Sequence, residues 1–203
     1  MKKDKLIQKF NKQAKRYEQN LDNRTQSRWR KKLINQAKGK VLELGIGAGA
    51  NFPYYNEQVE VIGVDFSSEM LKSARQAAID YRINAKLLQR DVELVEFEPN
   101  SFDSIVSTLS LCTYKNPVEI LNRMNSWCRN DGQILLLEHG ISSNRFLKMS
   151  QNLTDPLYRR ISGCHWNREI PILLEQSKLQ VITSERYWSG MIHIIRARPG
   201  TEA

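Results

Sequence analysis

The sequence predicts an α/β fold whose sheet is mostly parallel, and three observations carry this prediction. From residue 40 onward, short apolar runs alternate with segments of helical periodicity, which is typical of a parallel sheet covered by helices. The first apolar run ends at a glycine-rich turn, Gly45-Ile46-Gly47-Ala48-Gly49, where a ligand can approach the backbone closely. The last two apolar runs are separated by a short link, which permits only an antiparallel hairpin.

Two helices are predicted before the sheet. Along the first, apolar residues recur at steps of three and four, and these are Leu6, Ile7, Phe10, Ala14, Tyr17 and Leu21. The second helix extends over about residues 25–37. Residues 1–40 contain 14 Lys or Arg and three acidic residues, a balance of +11, while the rest of the chain carries −2. The basic character of the protein therefore belongs to this amino-terminal arm.

The elements of the sheet region follow in alternation. The predicted strands are 41–45, 59–64, 85–90, 103–109 and 133–137, followed by the hairpin strands 179–187 and 191–198. Ser67 is expected to cap the helix after the second strand. Asn116 is expected to cap the helix after the fourth strand, with Pro117 at its first position and its end at 130–132. Further helices are predicted within 144–162 and near 167–177.

Three acidic residues stand at or near the ends of the first three strands. Glu43 lies two residues before Gly45, Asp65 closes the second strand, and Asp91 closes the third. A buried strand has no structural need of a terminal acid, so Asp65 is expected to bind a ligand, whereas Asp91 could also cap the next turn. The glycine turn by itself fits a dinucleotide-binding loop equally well. The three acids and the terminal hairpin distinguish a dinucleotide-binding domain from other domains that carry such a turn.

Together these features make residues 40–198 resemble the class I S-adenosylmethionine (SAM)-dependent methyltransferases of the type 11 group. The resemblance implies a Rossmann-like, seven-stranded, mostly parallel sheet with an antiparallel carboxyl-terminal hairpin and added amino-terminal helices. It implies SAM as cofactor, with residues 1–38 as a basic helical lid and 39–203 as the methyltransferase domain. The cofactor-binding residues that it implies are Glu43, Gly45, Gly47, Gly49, Asn51, Asp65, Phe66, Met70, Asp91, Val92 and Thr108.

The resemblance also suggests a role for several of these residues. The glycine turn would let backbone groups meet the methionine part of SAM, and Asp65 would accept the ribose hydroxyls. Asp91 or the amide of Val92 would meet the adenine amine. Phe66 and Met70 would pack on the adenine faces, although Met70 also fits ordinary helix core.

Two subfamily resemblances compete for the methyl acceptor. The runs 108–112, 137–139 and 163–169 look like the small methyltransferases grouped with thiol S-methyltransferases and bacterial phospholipid N-methyltransferases. Phe10, the segment 28–30 and the last strand echo ubiquinone/menaquinone C-methyltransferases, but the first strand and the loop after the fourth depart from that family. We therefore expect a small-molecule acceptor, a thiol or an amine that includes lipid amines, with quinone C-methylation as the alternative.

A nucleic-acid acceptor is the alternative that the basic arm raises. Amino-methylating nucleic-acid enzymes of this fold usually carry Asn/Asp-Pro-Pro-aromatic after the fourth strand, where this chain has 110–113, Ser-Leu-Cys-Thr. No reading domain is visible either, which argues against this class. On the acceptor side the candidate catalytic residues are His139, at the tip of the fifth strand, His165 and Tyr158. No metal site is expected, because the cysteines and histidines lack ligand spacing.

The remaining expectations concern location and partners. No apolar run approaches the roughly 20 residues of a membrane span, and the three cysteines fit reduced thiols, so a cytoplasmic location is expected. The basic amino-terminal helix has two compatible interpretations. It is a lid over the SAM pocket, or it touches an anionic membrane surface as a peripheral contact. The sequence carries no signal for the oligomeric state.

Overall fold

The computed structural model describes residues 3–19 and 24–200, and a seven-stranded sheet is its centre. The strands are β1 (Lys40–Leu44), β2 (Glu60–Asp65), β3 (Asn84–Gln89), β4 (Phe102–Thr108), β5 (Cys128–His139), β6 (Leu179–Tyr187) and β7 (Ile192–Pro199). The helices are α1 (Lys3–Gln19), α2 (Arg24–Ile34), α3 (Ser68–Asp80), α4 (Pro117–Trp127), α5 (Arg145–Ser162) and α6 (Ile170–Glu175). None of the helices in this described part is long and apolar enough to cross a bilayer.

The strand order is β3-β2-β1-β4-β5-β7-β6. The first five strands pair in parallel, while β7 is antiparallel to both β5 and β6. The predicted mixed sheet with its terminal hairpin is therefore confirmed. The chain reverses its direction of winding between β1 and β4, and ligands bind at the carboxyl ends of the strands at such a switch point.

Helices cover both faces of the sheet because successive strand residues point to opposite sides. In β1, Leu42 and Leu44 enter a core that α4 and α6 close, while Val41 enters a second core with α2 and α3. The carboxyl ends of β1 and β4 thus lie between two packed layers, which hold the site rigidly.

Local capping differs from the prediction at one helix. Ser67 caps α3, since its Oγ accepts the N–H of Met70 at 3.1 Å. Asn116 does not cap α4, because its side chain points to Glu119 and accepts no backbone N–H. The predicted end of α4 at 130–132 is also wrong: the helix ends at Trp127, because the chain then pairs with β4 and lengthens β5.

The first helix packs on the rest of the domain through its apolar stripe. Leu6 and Ala14 are buried, and the ring of Phe10 meets the edge of Phe66 with centroids 5.4 Å apart. Lys9 Nζ donates to two backbone carbonyls at the end of α5. Leu21, predicted on the same stripe, lies outside the described residues. The helix therefore lies between α3 and α5, beside the carboxyl edge of the sheet.

Candidate active site

A cavity of about 780 Å³ opens at the carboxyl ends of β1 and β4. Every layer of the fold contributes to its wall: the glycine turn, the ends of β2, β4 and β5, and parts of α1, α2 and α5. The predicted site residues found on its wall are Gly45, Gly47, Asp65, Phe66, Met70, Val92, Thr108, His139 and Tyr158. The switch point predicted from the strand order thus coincides with the cavity.

The glycine turn owes its shape to three positive φ angles, which favour glycine. A Cβ on Gly45 would lie 2.7 Å from Ser110, and one on Gly49 would lie 2.7 Å from Phe52, so both positions need glycine for packing. A Cβ on Gly47 would meet nothing closer than a carbonyl oxygen at 4.0 Å. Gly47 therefore leaves open space beside the cavity, whereas Gly49 lies behind the wall and holds the turn in place.

Asp65 closes one side of the turn. Its Oδ2 accepts the N–H of Gly47 at 2.9 Å and its Oδ1 accepts the N–H of Ser67 at 2.8 Å. The residue is 8% exposed, and this burial raises the pKa of its carboxyl group. Each carboxylate oxygen keeps further acceptor capacity towards the cavity. The group can therefore receive neutral hydroxyl donors from a ligand.

A buried polar network lies behind the opposite part of the turn. Arg30 Nη1 donates to Asn51 Oδ1 at 2.7 Å and to Thr108 Oγ1 at 2.8 Å. Asn51 Nδ2 donates in turn to Glu43 Oε1, and the hydroxyl of Tyr55 donates to Glu43 Oε2. Of these five residues, only Arg30 and Thr108 reach the cavity wall. Glu43 and Asn51 thus lie behind the wall, where Glu43 holds Asn51 and Asn51 holds the guanidinium of Arg30.

Burial governs the charges of this network. It raises the pKa of Glu43 to about 7 and lowers the pKa of Arg30, and the attraction between the two groups opposes both shifts. Arg30 lies on the cavity wall, although the sequence marks it only within the segment 28–30, which carries a family resemblance. No local pattern marks it, because its partner Thr108 lies 78 positions away in the chain.

Asp91 is not on the cavity wall. Its carboxylate forms an ion pair with Lys3 at 2.7 Å and accepts the N–H of Glu93, which is the turn-capping role that the sequence left open. The neighbouring Val92 and Met70 are buried on the wall, and Phe66 lines it as well. These three side chains form one apolar part of the wall, with the ammonium of Lys3 over the ring of Phe66.

The far wall of the cavity carries imidazole, thiol and phenol groups. His139 and Cys164 both line it, and Tyr158 from α5 lies beside them. A hydrogen bond from Cys112 and another from His139 hold the pKa of the Cys164 thiol below its usual range. Burial raises the pKa of the Tyr158 hydroxyl, so this phenol is a neutral group. His139 and Tyr158, which were predicted at the site, thus lie together with Cys164, which was not, at this end of the cavity.

His165 is not brought to this wall. Its Nδ1 lies 2.7 Å from Asp155 Oδ2, and the other oxygen of Asp155 accepts the N–H of Trp166. This pair fastens the loop after α5 to the helix, and His165 lies off the cavity wall. Within residues 3–19 and 24–200, no group of three or more His, Cys, Asp or Glu side chains could hold a metal ion.

The cavity fits SAM in four respects. The open space at Gly47 admits a ligand against the backbone, and the Asp65 carboxylate offers acceptors to a ribose diol. Arg30 supplies a cation at the opposite side of the turn, where a methionine carboxylate needs one. The apolar wall of Phe66, Met70 and Val92 suits an adenine ring. When bound, SAM supplies an activated methyl group.

Comparisons with known proteins agree with this geometry. Residues 42–136 match the family described as a methyltransferase domain. The chain is 32% identical to the phosphatidylethanolamine N-methyltransferase of Cereibacter sphaeroides over 52% of this chain and 53% of that protein. It is 28% identical to human thiol S-methyltransferase TMT1B over 76% of this chain and 66% of that protein. The chain thus spans between half and two thirds of these relatives' lengths.

A solved structure shows the same fold. The chain superposes on a SAM-dependent methyltransferase from Aquifex aeolicus with a TM-score of 0.58 and 15% identity, over 79% of this chain and 81% of that one. This likeness concerns the fold, and the family match covers residues 42–136, from β1 to β5. Residues 42–136 therefore resemble a methyltransferase domain, in a sheet with the fold of a solved SAM-dependent methyltransferase.

Proposed function

We propose that the protein transfers the methyl group of SAM to a small-molecule nucleophile, a thiol or an amine, with lipid amines included. The observation that carries this proposal is the composition of the far wall. Cys164, His139 and Tyr158 line it, and Asp65 is the one carboxylate on the cavity wall among the described residues. In this proposal a thiol or an amine is accommodated there with no carboxylate of the described residues beside it.

In this proposal the two sides of the glycine turn bind different parts of the cofactor. Asp65 receives the ribose hydroxyls while it holds the N–H of Gly47. Arg30 binds the methionine carboxylate, and the buried contact to Asn51 keeps its guanidinium in place. The sulfonium is then expected near Thr108, at the end of β4. The residues of the turn and of β4 thus orient the methyl group towards the far wall.

Methyl transfer to a thiol or an amine depends little on a general base. A thiol or an amine reaches its nucleophilic form near neutral pH, so alignment and exclusion of water carry most of the rate. Phe10 and Tyr17 of α1 line the cavity and shield it from solvent, which is the lid role proposed for this helix. His139 is placed to accept the proton that the acceptor loses.

Quinone C-methylation is a second candidate, favoured by a specific aromatic contact. Trp29 and Trp188 both line the cavity, and their ring centroids are 4.8 Å apart in an edge-to-face arrangement. Two such rings suit a planar aromatic acceptor. A nucleic-acid acceptor, raised by the basic arm, has no comparable observation in its favour.

The test is turnover of SAM by the pure full-length chain with a panel of acceptors. The panel contains a small alkyl thiol, sulfide, phosphatidylethanolamine in detergent, a demethylated quinone and RNA. S-adenosylhomocysteine formed above the rate without acceptor is measured for each. We expect product with a thiol or an amine. Turnover with the quinone or RNA alone contradicts the proposed acceptor class, and no turnover with any member contradicts the proposed function.

A further inference from the structure

One face of α5 is apolar and exposed. Its apolar residues recur at steps of three or four, which places them on one stripe of the helix. The members of this stripe, which we call the α5 stripe, are between 59% and 81% exposed: Phe146, Met149, Leu153, Leu157 and Ile161. The opposite face, which includes Gln151 and Asp155, is buried against the domain. A contiguous apolar surface of this kind is uncommon on a protein that has no partner for it.

The α5 stripe differs in this respect from the stripe of α1. Three members of the α1 stripe are occupied, since Leu6 and Ala14 are buried and Phe10 packs against Phe66, whereas Tyr17 lines the cavity and is 45% exposed. A membrane contact through the apolar face of α1, which the sequence left open, therefore conflicts with the packing of that face. The available apolar surface lies on the neighbouring helix instead.

Most of the charges of α5 are cationic. Arg145, Lys148, Arg159 and Arg160 belong to the helix, although Lys148 is paired with Glu169, and the one acid of the helix, Asp155, is buried against His165. The basic α1 is joined to the end of α5, because Lys9 donates to the carbonyls of Arg160 and Ile161. Gly163 permits this approach, since a Cβ there would lie 2.9 Å from Leu6. The apolar stripe is thus flanked by cations from two helices.

We propose that the α5 stripe is a docking surface for an anionic lipid bilayer. An exposed apolar helix face with basic flanks lies in the interface of such a membrane, where anionic headgroups attract the cations. The stripe also adjoins the cavity, because Ile161 and Tyr158 line the cavity wall. Docking would place the cavity mouth at the level of the headgroups. Except for Ile161, the stripe lies outside the catalytic cavity, and the inference holds for any acceptor.

The test is co-sedimentation of the full-length chain with vesicles. One set contains phosphatidylcholine alone, and the other contains equal parts of phosphatidylcholine and phosphatidylglycerol. We expect binding to the anionic vesicles that weakens as salt increases. The double variant Leu153→Gln with Leu157→Gln should bind these vesicles at least tenfold more weakly. Neither residue lines the cavity, so SAM affinity, measured by calorimetry, should stay unchanged and show that the variant is folded.

A matched control carries the same chemical change elsewhere. Ile79 and Leu94 are 70% and 78% exposed and lie outside α5, so Ile79→Gln with Leu94→Gln should bind vesicles as the unchanged chain does. Equal loss in both double variants, or no loss in either, overturns the proposal. Absence of binding by the unchanged chain, or equal binding to both vesicle types, overturns it as well. A dimer in analytical ultracentrifugation that the α5 variant dissociates assigns the surface to a second copy and also overturns it.

Discussion

Replacement of Asp65 by Asn is the substitution that tests the placement of the cofactor ribose. Asn keeps the shape of the side chain but turns one acceptor oxygen into a donor and removes the charge. A ribose hydroxyl that donates to the carboxylate therefore loses one charge-assisted hydrogen bond, which contributes about 1.5–3 kcal/mol. The SAM dissociation constant should rise roughly 10- to 150-fold, at about 1.4 kcal/mol per factor of ten.

Isothermal titration calorimetry measures this effect, and Asp91→Asn provides the matched control. Asp91 is paired with Lys3 away from the cavity wall, so its replacement should change SAM affinity less than about threefold. Thermal unfolding of both variants shows whether either has lost its structure. A SAM affinity for Asp65→Asn within about twofold of the unchanged chain would refute the assignment of Asp65 to the ribose.

Three further outcomes are expected. Gly47→Ala places a methyl group in open space at a positive φ, so the chain should still fold, with about 1 kcal/mol of strain. The variant should bind SAM at least tenfold more weakly. An unchanged affinity would mean that the turn does not contact the cofactor. Arg30→Gln should weaken SAM binding about tenfold, whereas Arg28→Gln, at an exposed position, should leave it unchanged. Equal effects of the two variants would contradict the assignment of Arg30 to the methionine carboxylate. Burial raises the pKa of the Glu138 carboxyl group from 4.5 to about 7. The contribution of Glu138 to the free energy of unfolding is therefore complete below pH 4.5. It is lost, by about 3 kcal/mol, as the pH rises through 7. Urea unfolding at several pH values should show a slope that Glu138→Gln reduces by this amount, while the similar contribution of Glu43 stays.

Much of the fold could be predicted because its signals are local. The apolar runs, the glycine turn and the capping Ser67 each lie within a few residues of the structure that they specify. The short link before β7 settled the antiparallel hairpin in the same way. The end of α4 could not be read locally, since pairing of Cys128 with Phe102 across the sheet extends β5 into the predicted helix.

The signals for the site were clearest where its residues follow a strand. Asp65 and the glycine turn stand at strand ends, and they meet at the cavity as expected. Asp91 and His165 lie off the cavity wall, because their carboxylate and imidazole groups pair with Lys3 and Asp155, contacts that packing determines. Arg30 was missed for the same reason. Its site is created by the tertiary approach of α2 to β4.

The central claim is that the cavity between the glycine turn and Asp65 holds SAM, and direct binding tests it most simply. Calorimetric titration of the pure chain with SAM, S-adenosylhomocysteine and NAD, under the same conditions, separates the cofactors that a turn of this kind can bind. We predict saturable, stoichiometric binding of SAM and S-adenosylhomocysteine, weakened by Gly47→Ala, and no binding of NAD. Binding of NAD in preference to SAM, or SAM binding that Gly47→Ala leaves unchanged, would contradict the claim.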